Sequence, residues 1–407
     1  MLITALIIFF ITYLIISVQK IRWLRLDRPS GVVLGAVAMV LTGVLSLDEA
    51  YRVIDFNTIL LLLGMMILIA YLKIANCFKF LSYWILKHSK SPFILLCLVV
   101  FASGILSALF VNDTICLMFT PLLLVTLKQA RINPVPFLIA LATSSNLGSV
   151  TTLTGNPQNM LIGVFSHWPY LKFTLLMLPI GIAGLVIDIV VIYLLLRKDF
   201  HRQNIDTANI EKPIFDLKLI KKAIAVLCAM MLGFIISGNL PLVAITGGVA
   251  IIILARIRPS LAFERIDWSL LLFFCGLFVV VGGVNKVNIL NKSYNLFQPF
   301  FGGTTSTQIT TFSIFSVILS NIVSNVPFVM FSGQWIDKFK DPHTMWLVLA
   351  MSSTFAGNLT IVGSVANMIV MELSRDTVQI SFWEFFKVGF LITCLSTLTG
   401  ILILNCY

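Results

Sequence analysis

The chain has 407 residues, of which 59% are hydrophobic and 11% are charged, and its mean hydropathy is +1.02. This composition excludes a soluble globular domain, which does not need so much apolar surface. The net charge of +11 does not indicate a nucleic-acid partner, because the basic residues cluster in short loops between apolar runs, as the positive-inside rule describes. The sequence has no nucleotide-binding G-x-x-x-x-G-K-[ST] loop, no metal-ligand spacing and no nucleophile–base set, so it predicts no enzyme.

Apolar runs long enough to cross the roughly 30 Å hydrocarbon core recur along the chain. The first run, 2–18, lacks a basic flank and a cleavage site, so we expect it to be a retained span rather than a signal peptide. Two other apolar stretches, 92–127 and 308–335, are interrupted by polar residues near the middle. The remaining predicted crossings are 31–47, 57–75, 135–165, 173–196, 218–237, 241–256, 267–285, 344–373 and 384–404. The sequence therefore predicts an all-α polytopic membrane protein.

The basic residues predict the orientation of the chain in an inner (plasma) membrane. They concentrate on both sides of 92–127, in the loop 197–222, and after the first run at Lys20, Arg22, Arg25 and Arg28. Placing these segments in the cytoplasm puts the N-terminus outside. The stretch 92–127 is then a re-entrant hairpin from the cytoplasm, and 308–335 is one from the outside. The lysines that flank the second hairpin oppose the positive-inside bias.

This count gives two repeats, each with five transmembrane crossings, one re-entrant hairpin and one broken helix. An odd number of crossings turns the second copy over, so the repeats are predicted to be inverted. Repeat 1 covers 1–199, with its hairpin at 92–127 and its broken helix at 135–165. A cytoplasmic linker follows at 200–217. Repeat 2 covers 218–407, with its hairpin at 308–335 and its broken helix at 344–373.

A duplicated motif supports this division. Leu141–Met160 aligns without a gap onto Leu349–Met368, and both copies share the frame Leu-Ala-x-Ser-Ser followed by Thr, Gly and Asn at the same offsets. The two copies are uncharged and polar, although their surroundings are strongly apolar. The hairpins repeat as well, with Ser107 to Asn112 corresponding to Ser320 to Asn325. A duplicated, interrupted hydrophobic segment is typical of the binding site of a secondary transporter.

We expect the two hairpin tips and the two helix breaks to converge, because non-helical backbone at membrane depth must be buried in protein or face a wet cavity. Exposed N–H groups at a helix start favour an anion, whereas unwound carbonyls favour Na⁺. The predicted substrate-binding residues are Asn112, Thr114, Ser145, Asn146, Thr152, Gly155, Asn156, Asn159, Ser324, Asn325, Asn358, Thr360, Gly363 and Asn367.

Asp113 is the only formal charge between Ser91 and Leu127. A carboxylate within the membrane is expensive and by default functional, as a proton carrier or a cation ligand. We therefore predict that Asp113 couples transport to H⁺ or Na⁺, and we predict no other cofactor. Asp188, in the run 173–196, is a second candidate, with a structural hydrogen bond inside the bundle as the alternative interpretation.

Four motifs carry a family resemblance. Val111–Pro121 resembles the Asn-Asp hairpin motif of the arsenite/antimonite permeases, and Ser324–Pro327 resembles their second hairpin. Ser149–Asn159 and Gly357–Asn367 resemble the paired motifs of that family and of the pink-eyed-dilution-type transporters. The motifs occur in the expected order, so the chain is identified as a member of the ion transporter superfamily, which also contains citrate–metal (CitMHS-like) carriers. The resemblance implies an elevator-type carrier, usually a homodimer, and a separate ATPase subunit if the chain works like an arsenite pump.

The resemblance also bears on the substrate. The related dicarboxylate/sodium symporters have Ser-Asn-Thr in both repeats, whereas the copies here read Ser145-Asn146-Leu147 and Ser353-Thr354-Phe355. This difference disfavours a carboxylate substrate with paired Na⁺ sites. We predict an ion-gradient-coupled, arsenite-permease-like transporter of a small anion or oxyacid. A Na⁺/H⁺ antiporter is the alternative, and a channel is disfavoured because two inverted gates suit alternating access.

Overall fold

The computed structural model describes residues 1–18, 27–129, 132–200 and 212–407, and these residues form α-helices and short 3-10 turns without a β-strand. The first half contains α1 (Leu2–Val18), α2 (Arg28–Leu41), α3 (Leu47–Arg52), α4 (Phe56–Ile74), α5 (Cys77–His88), α6 (Pro92–Leu109), α7 (Asn112–Gln129), α8 (Val135–Ser149), α9 (Pro157–Ser166) and α10 (Tyr170–Leu195). The second half contains α11 (Leu217–Ser237), α12 (Leu240–Ala255), α13 (Pro259–Phe263), α14 (Trp268–Lys286), α15 (Ile289–Phe297), α16 (Thr305–Val323), α17 (Asn325–Ser332), α18 (Pro342–Ala356), α19 (Val365–Ser374) and α20 (Phe382–Leu404).

The helices of the second half follow the order of the first. The packing corresponds too: α4 contacts α12 as α14 contacts α2, α6 contacts α8 as α16 contacts α18, and α8 contacts α10 as α18 contacts α20. Exchanging the halves therefore preserves these contacts, as a two-fold relation requires. The inverted orientation of the halves across a membrane stays a prediction.

Side-chain caps fix several helix starts. Asp55 accepts a hydrogen bond from the Asn57 N–H at the start of α4, and Asp267 accepts one from the Leu270 N–H at the start of α14, both at 3.0 Å. The first N–H groups of a helix have no acceptor within the helix, so a carboxylate here satisfies one of them and stabilises the helix start. An aspartate N-cap therefore begins both α4 and its counterpart α14.

Seven described helices are long and apolar enough to cross a membrane: α4, α6, α10, α11, α14, α16 and α20. This confirms an all-helical polytopic membrane protein. Two of them, α6 and α16, are the first arms of the predicted hairpins. At 1.5 Å per residue an 18-residue arm is about 27 Å long, close to the thickness of the hydrocarbon core. The second arm differs between the halves, because α7 has 18 residues whereas α17 has 8 and continues as the 3-10 turn Gly333–Lys338.

Four short helices, α3, α5, α13 and α15, lie in segments that the sequence analysis left between crossings. They are too short to span a membrane and several carry charges, so hydropathy alone does not reveal them. Residues 201–211 of the predicted linker lie outside the described residues, as do Lys20, Arg22 and Arg25. The end of the linker is attached to the start of α5, since Asn76 Nδ2 donates to the carbonyl of Ile214 at 3.1 Å.

The helices pack as two groups. The hairpin group contains both hairpins, both broken helices, α10 and α20, with α6 on α8, α7 on α19 and α16 on α18. The flanking group contains α1, α2, α4, α11, α12 and α14, with α4 on α12 and α2 on α14. Within the hairpin group, α6 and α8 approach very closely, because a Cβ atom at Gly148 would meet the backbone of Gly104. Small residues allow such close contacts between membrane helices.

Candidate functional site

Each broken helix of the prediction is two helices in the structure, and an asparagine bonds to the connecting segment. In the first half, α8 ends at Ser149 and α9 starts at Pro157. The buried side chain of Asn159 donates from Nδ2 to the carbonyl of Thr152 at 2.9 Å and to that of Ser149 at 3.3 Å. Carbonyls released by a helix break need donors when water is absent. Asn159 therefore stabilises the break.

The second half repeats this arrangement. Between α18 and α19, Asn367 donates from Nδ2 to the carbonyl of Thr360 at 3.0 Å and to that of Gly357 at 2.6 Å. Thr360 and Gly357 are the counterparts of the two acceptors in the first half. The predicted correspondence between the copies therefore extends to individual hydrogen bonds.

Each hairpin tip bonds to a glycine of the break in its own half. The backbone N–H of Asn112 donates to the carbonyl of Gly155 at 3.1 Å. In the second half, the side-chain amide of Asn325 is turned so that Nδ2 faces the break, and Nδ2 donates to the carbonyl of Gly363 at 3.1 Å. A Cβ atom at Gly155 would meet the carbonyl of Ser149, so glycine is required where these two residues approach each other within the break. These contacts fix the tips against the breaks.

Asn146 joins the two halves. Its Nδ2 donates to Asn358 Oδ1 at 2.8 Å and to Asn367 Oδ1 at 3.2 Å. Its Oδ1 accepts from Asn112 Nδ2 at 2.9 Å and from Ser364 Oγ at 3.0 Å. One fully buried amide thus contacts the first tip and the second break.

The second tip contains strained backbone. Ser324 has φ +77° and ψ 151°, a conformation that is essentially restricted to glycine and costs about 1–3 kcal/mol for other residues. Its side chain makes no capping hydrogen bond to α17. Such strain is common at ligand sites and moving segments, and Ser324 lines the cavity described next.

A cavity of about 170 Å³ lies between the hairpin group and the flanking group. The hairpin group contributes both tips and the starts of α9 and α19, and the flanking group contributes the starts of α2 and α14. Four helix N-termini of the hairpin group, those of α7, α9, α17 and α19, therefore meet at this cavity. The partial positive charge of these helix starts favours oxygen ligands that carry negative charge.

Three charged side chains line the cavity: Arg28 at the start of α2, Asp113 at the start of α7, and Asp267 before α14. Asp113 is half-buried, is attracted by Arg28, is repelled by Asp267, and interacts with the backbone N–H of Ala366 in the first turn of α19. Arg28 also donates from Nε to the carbonyl of Ile16 at 3.1 Å. The lining thus carries one positive and two negative formal charges.

The structure places some of the predicted site residues in the cavity lining and the rest outside it. Asn112, Asp113, Ser324 and Asn325 line the cavity. Thr114, in the first turn of α7, is half-buried and is not part of the lining. The others form the surrounding framework of tips and breaks, which is buried except for the half-buried Thr360, and they do not contact the cavity; they are Ser145, Asn146, Thr152, Gly155, Asn156, Asn159, Asn358, Thr360, Gly363 and Asn367.

Two members of the framework make other bonds. Ser145 Oγ lies 3.1 Å from the thiol of Cys116. Asn156 caps α9, because its Oδ1 accepts from the Asn159 N–H at 2.8 Å. These side chains support the shape of the site and leave the cavity to the residues at the helix starts.

The structure adds cavity residues that the sequence analysis missed: Arg28, Gln158, Asp267 and Ser364. Gln158 and Ser364 lie inside the duplicated segment, so their position in the motif is a signal that could have identified them. Arg28 was grouped with the basic residues after the first run, whereas the structure places it at the first position of α2, facing Asp113. No local pattern distinguishes it from a loop arginine.

A multi-span helical protein whose hairpin tips and broken helices border a cavity with charged side chains has the architecture of a membrane transporter. Residues 7–337 match the family model described as CitMHS, citrate transporter. The chain belongs to this family, and it is a membrane anion transporter rather than an enzyme.

Individual relatives cover nearly the whole chain. The silicon efflux transporter LSI3 of Oryza sativa subsp. japonica is 29% identical over 94% of this chain and 93% of its own length. The putative transporter arsB of Dictyostelium discoideum is 27% identical over 97% of this chain and 91% of its own. Among solved structures, the YdaH transporter of Alcanivorax borkumensis superimposes with a TM-score of 0.59 and 13% identity, covering 99% of this chain and 96% of that one. This likeness shows the fold.

Proposed function

We propose that this protein is a secondary active transporter of a small oxyacid, such as arsenite, or of its anion, driven by an ion gradient. The observation that carries the proposal is the cavity in which four helix N-termini surround Arg28, Asp113 and Asp267. The N–H groups suit the oxygens of an oxyacid. The relatives' names include a silicon efflux transporter and an arsB-like transporter, which is consistent with this class of substrate.

The charge of the lining favours a neutral or singly charged substrate. Two carboxylates and one guanidinium give a net negative lining, which repels a free tricarboxylate such as citrate at short range in a site of reduced dielectric. A citrate–metal complex would carry less negative charge and would be repelled less. A neutral oxyacid avoids the repulsion and still accepts hydrogen bonds.

Asp113 is the proposed coupling group. Its carboxylate lies on the hairpin group and faces Arg28 of the flanking group, so its charge affects the attraction between the two groups. Binding of H⁺ or Na⁺ at Asp113 would weaken this attraction. This would allow the ion to control whether the hairpin group moves.

The mechanism that we propose is of the elevator type, in which the hairpin group moves past the flanking group. The protein would work as a homodimer in the inner membrane, with the N-terminus of each chain outside. The packing into two groups and the position of the cavity between them support the elevator movement. The driving force is an ion gradient, and a separate ATPase subunit is not required.

The test is transport by the purified chain alone in proteoliposomes, with arsenite, antimonite and citrate with or without Mg²⁺ as substrates and with imposed H⁺ or Na⁺ gradients. We expect saturable arsenite counterflow and gradient-driven accumulation. Asp113→Asn should keep counterflow and lose accumulation, whereas Asp376→Asn, at an exposed position outside the cavity, should keep both. Accumulation by Asp113→Asn equal to that of the wild type would refute the coupling role. A need for added ATPase would refute the energy source.

A Na⁺/H⁺ antiporter is the second candidate, favoured by the surplus of carboxylates in the lining and by a buried oxygen, Asn112 Oδ1, that has no partner among the described residues. In the same vesicles, Na⁺-dependent proton movement without any oxyacid would select this function.

A further inference from the structure

A second carboxyl group, Asp188, lies outside the cavity in the C-terminal half of α10. Its side chain is fully buried. One oxygen, Oδ1, lies 2.7 Å from the hydroxyl of Thr143 on α8. The other, Oδ2, is buried without a hydrogen-bond partner among the described residues. The transport mechanism proposed above does not use this group.

The hydrogen bonds of Thr143 show which form of Asp188 fits. The Thr143 hydroxyl lies 2.8 Å from the carbonyl of Ile139 and 2.7 Å from Asp188 Oδ1. A hydroxyl has one proton to donate and can accept others. If Asp188 is protonated, it donates to Thr143, which donates to Ile139, and both short contacts are satisfied. If Asp188 is ionised, one proton must serve two acceptors, and a buried charge is left with at most one hydrogen bond.

In the part of the chain that the structure describes, no charged group pairs with Asp188. Helix α8 carries no titratable group, and α10 itself carries Tyr170, Lys172 and Tyr193 besides Asp188. The charged or titratable groups on the other elements packed against α10 lie in the first two turns of their helices or in the 3-10 turn 197–199; those in helices are Lys218, Lys221, Lys222, His343, Glu384 and Lys387. The thiols of these elements are Cys97, Cys228 and Cys394. The described side chain that hydrogen-bonds to Asp188 is that of Thr143. An unpaired buried charge costs far more than a buried neutral acid.

We propose that Asp188 is a second proton-binding site and that it holds a proton in this conformation. A row of contacts links it to the cavity. The carbonyl of Thr143 accepts from Asn358 Nδ2 at 3.2 Å, Asn358 bonds to Asn146, and Asn146 bonds to Asn112 at the first tip. Loss of the proton would require α8 to rearrange around Thr143, and this would disturb the framework of both breaks. This consequence for transport rests on the proposed function, whereas the protonation itself does not.

The test is infrared difference spectroscopy of the purified protein at neutral pH, which reports the carbonyl stretch of a protonated carboxylic acid without any transport assay. We expect a carboxylic-acid band in the wild type and in Asp113→Asn that is absent from Asp188→Asn. We expect the band to shift in Thr143→Val, which removes the hydroxyl partner. An unchanged carboxylic-acid region in Asp188→Asn overturns the proposal.

If Asp188→Asn does not fold, the Asp113→Asn protein labelled with ¹³C-aspartate replaces it. Asp188 is the aspartate with a fully buried side chain among the described residues, so a label-sensitive acid band at neutral pH belongs to it. Absence of that band also overturns the proposal. Because neither readout needs a substrate, their failure is distinguishable from failure of the proposed transport.

Discussion

Asn146 and Asn358 are 212 residues apart in sequence, and their side-chain amides form a 2.8 Å hydrogen bond between the two halves of the protein. The counterpart of Asn146 in the second copy of the motif is Thr354, and the counterpart of Asn358 in the first is Val150. This bond is therefore made once and breaks the equivalence of the halves.

Replacing Asn146 with alanine should destabilise the protein strongly. The change removes the partner of Asn112 Nδ2 and of Asn358 Oδ1 in a buried environment, and each unsatisfied group costs about 1–3 kcal/mol. We expect a loss of at least about 2 kcal/mol, measured as a lower melting temperature of the purified protein in detergent. Thr399→Ala is the control, because it removes an exposed hydroxyl bonded only within its own helix. Equal melting temperatures for the two variants would contradict a framework role for Asn146.

Replacing Ser324 with glycine should stabilise the protein. Glycine relieves about 1–3 kcal/mol of backbone strain and loses about 0.4–1 kcal/mol through the entropy of the unfolded chain. The net gain should be roughly 1 kcal/mol, and thermal unfolding would measure it. Ser324→Ala is the matched control, because alanine keeps the strain and removes the hydroxyl. A gain in alanine as large as that in glycine would show that the hydroxyl, and not the backbone, is the unfavourable feature.

Replacing Asp267 with asparagine should change the affinity for charged substrates and leave the affinity for neutral ones nearly unchanged. Asparagine retains the cap on α14, while the cavity loses one negative charge. An anionic ligand should bind about three- to tenfold more tightly, corresponding to about 1 kcal/mol of charge interaction. Neutral arsenite should change little, and Arg28→Gln should have the opposite effect on anions. Binding measured by calorimetry checks this, and no response of any anion to either variant would exclude electrostatic selection at the cavity.

The ion pair between α3 and α14 should make the stability of the fold depend on pH in the acidic range. Lys286 Nζ lies 2.6 Å from Glu49 Oε2 on the surface, and the hydrogen bonds from Lys286 and from the Ser46 backbone hold the pKa of Glu49 below its ordinary value. Because the pKa of Glu49 is lower in the folded protein, the pair stabilises the fold when the pH is above the ordinary glutamate pKa of about 4.3. This stabilisation is lost as the pH falls through the lowered pKa.

The corresponding measurement compares the wild type with Lys286→Gln. The wild type should melt slightly higher at neutral pH, and the difference should vanish in acid. Because the pair is exposed, the difference should be small and should decrease with salt. A difference that grows as the pH falls would have the wrong sign for this pair.

Local sequence patterns predicted most of the long helices, the helix breaks and the first hairpin tip. Runs of apolar residues are read one segment at a time, so nearly all of the long helices and the membrane class followed from hydropathy. The break between α8 and α9, and its copy between α18 and α19, followed from a polar, glycine-bearing motif that occurs twice. The first tip followed from Asn112 and Asp113, because a lone charge in an apolar stretch is conspicuous.

The composition of the cavity was decided by the tertiary structure. Arg28, Asp113 and Asp267 come from distant parts of the chain, and they meet only because the starts of α2 and α14 pack beside the first tip. Likewise, the duplicated motif predicted Asn159 and Asn367 as site residues. It could not show that they bond to carbonyls of the breaks instead of lining the cavity. Hydropathy and motifs are properties of neighbouring residues in sequence, whereas a site between two groups of helices depends on how those groups pack in space.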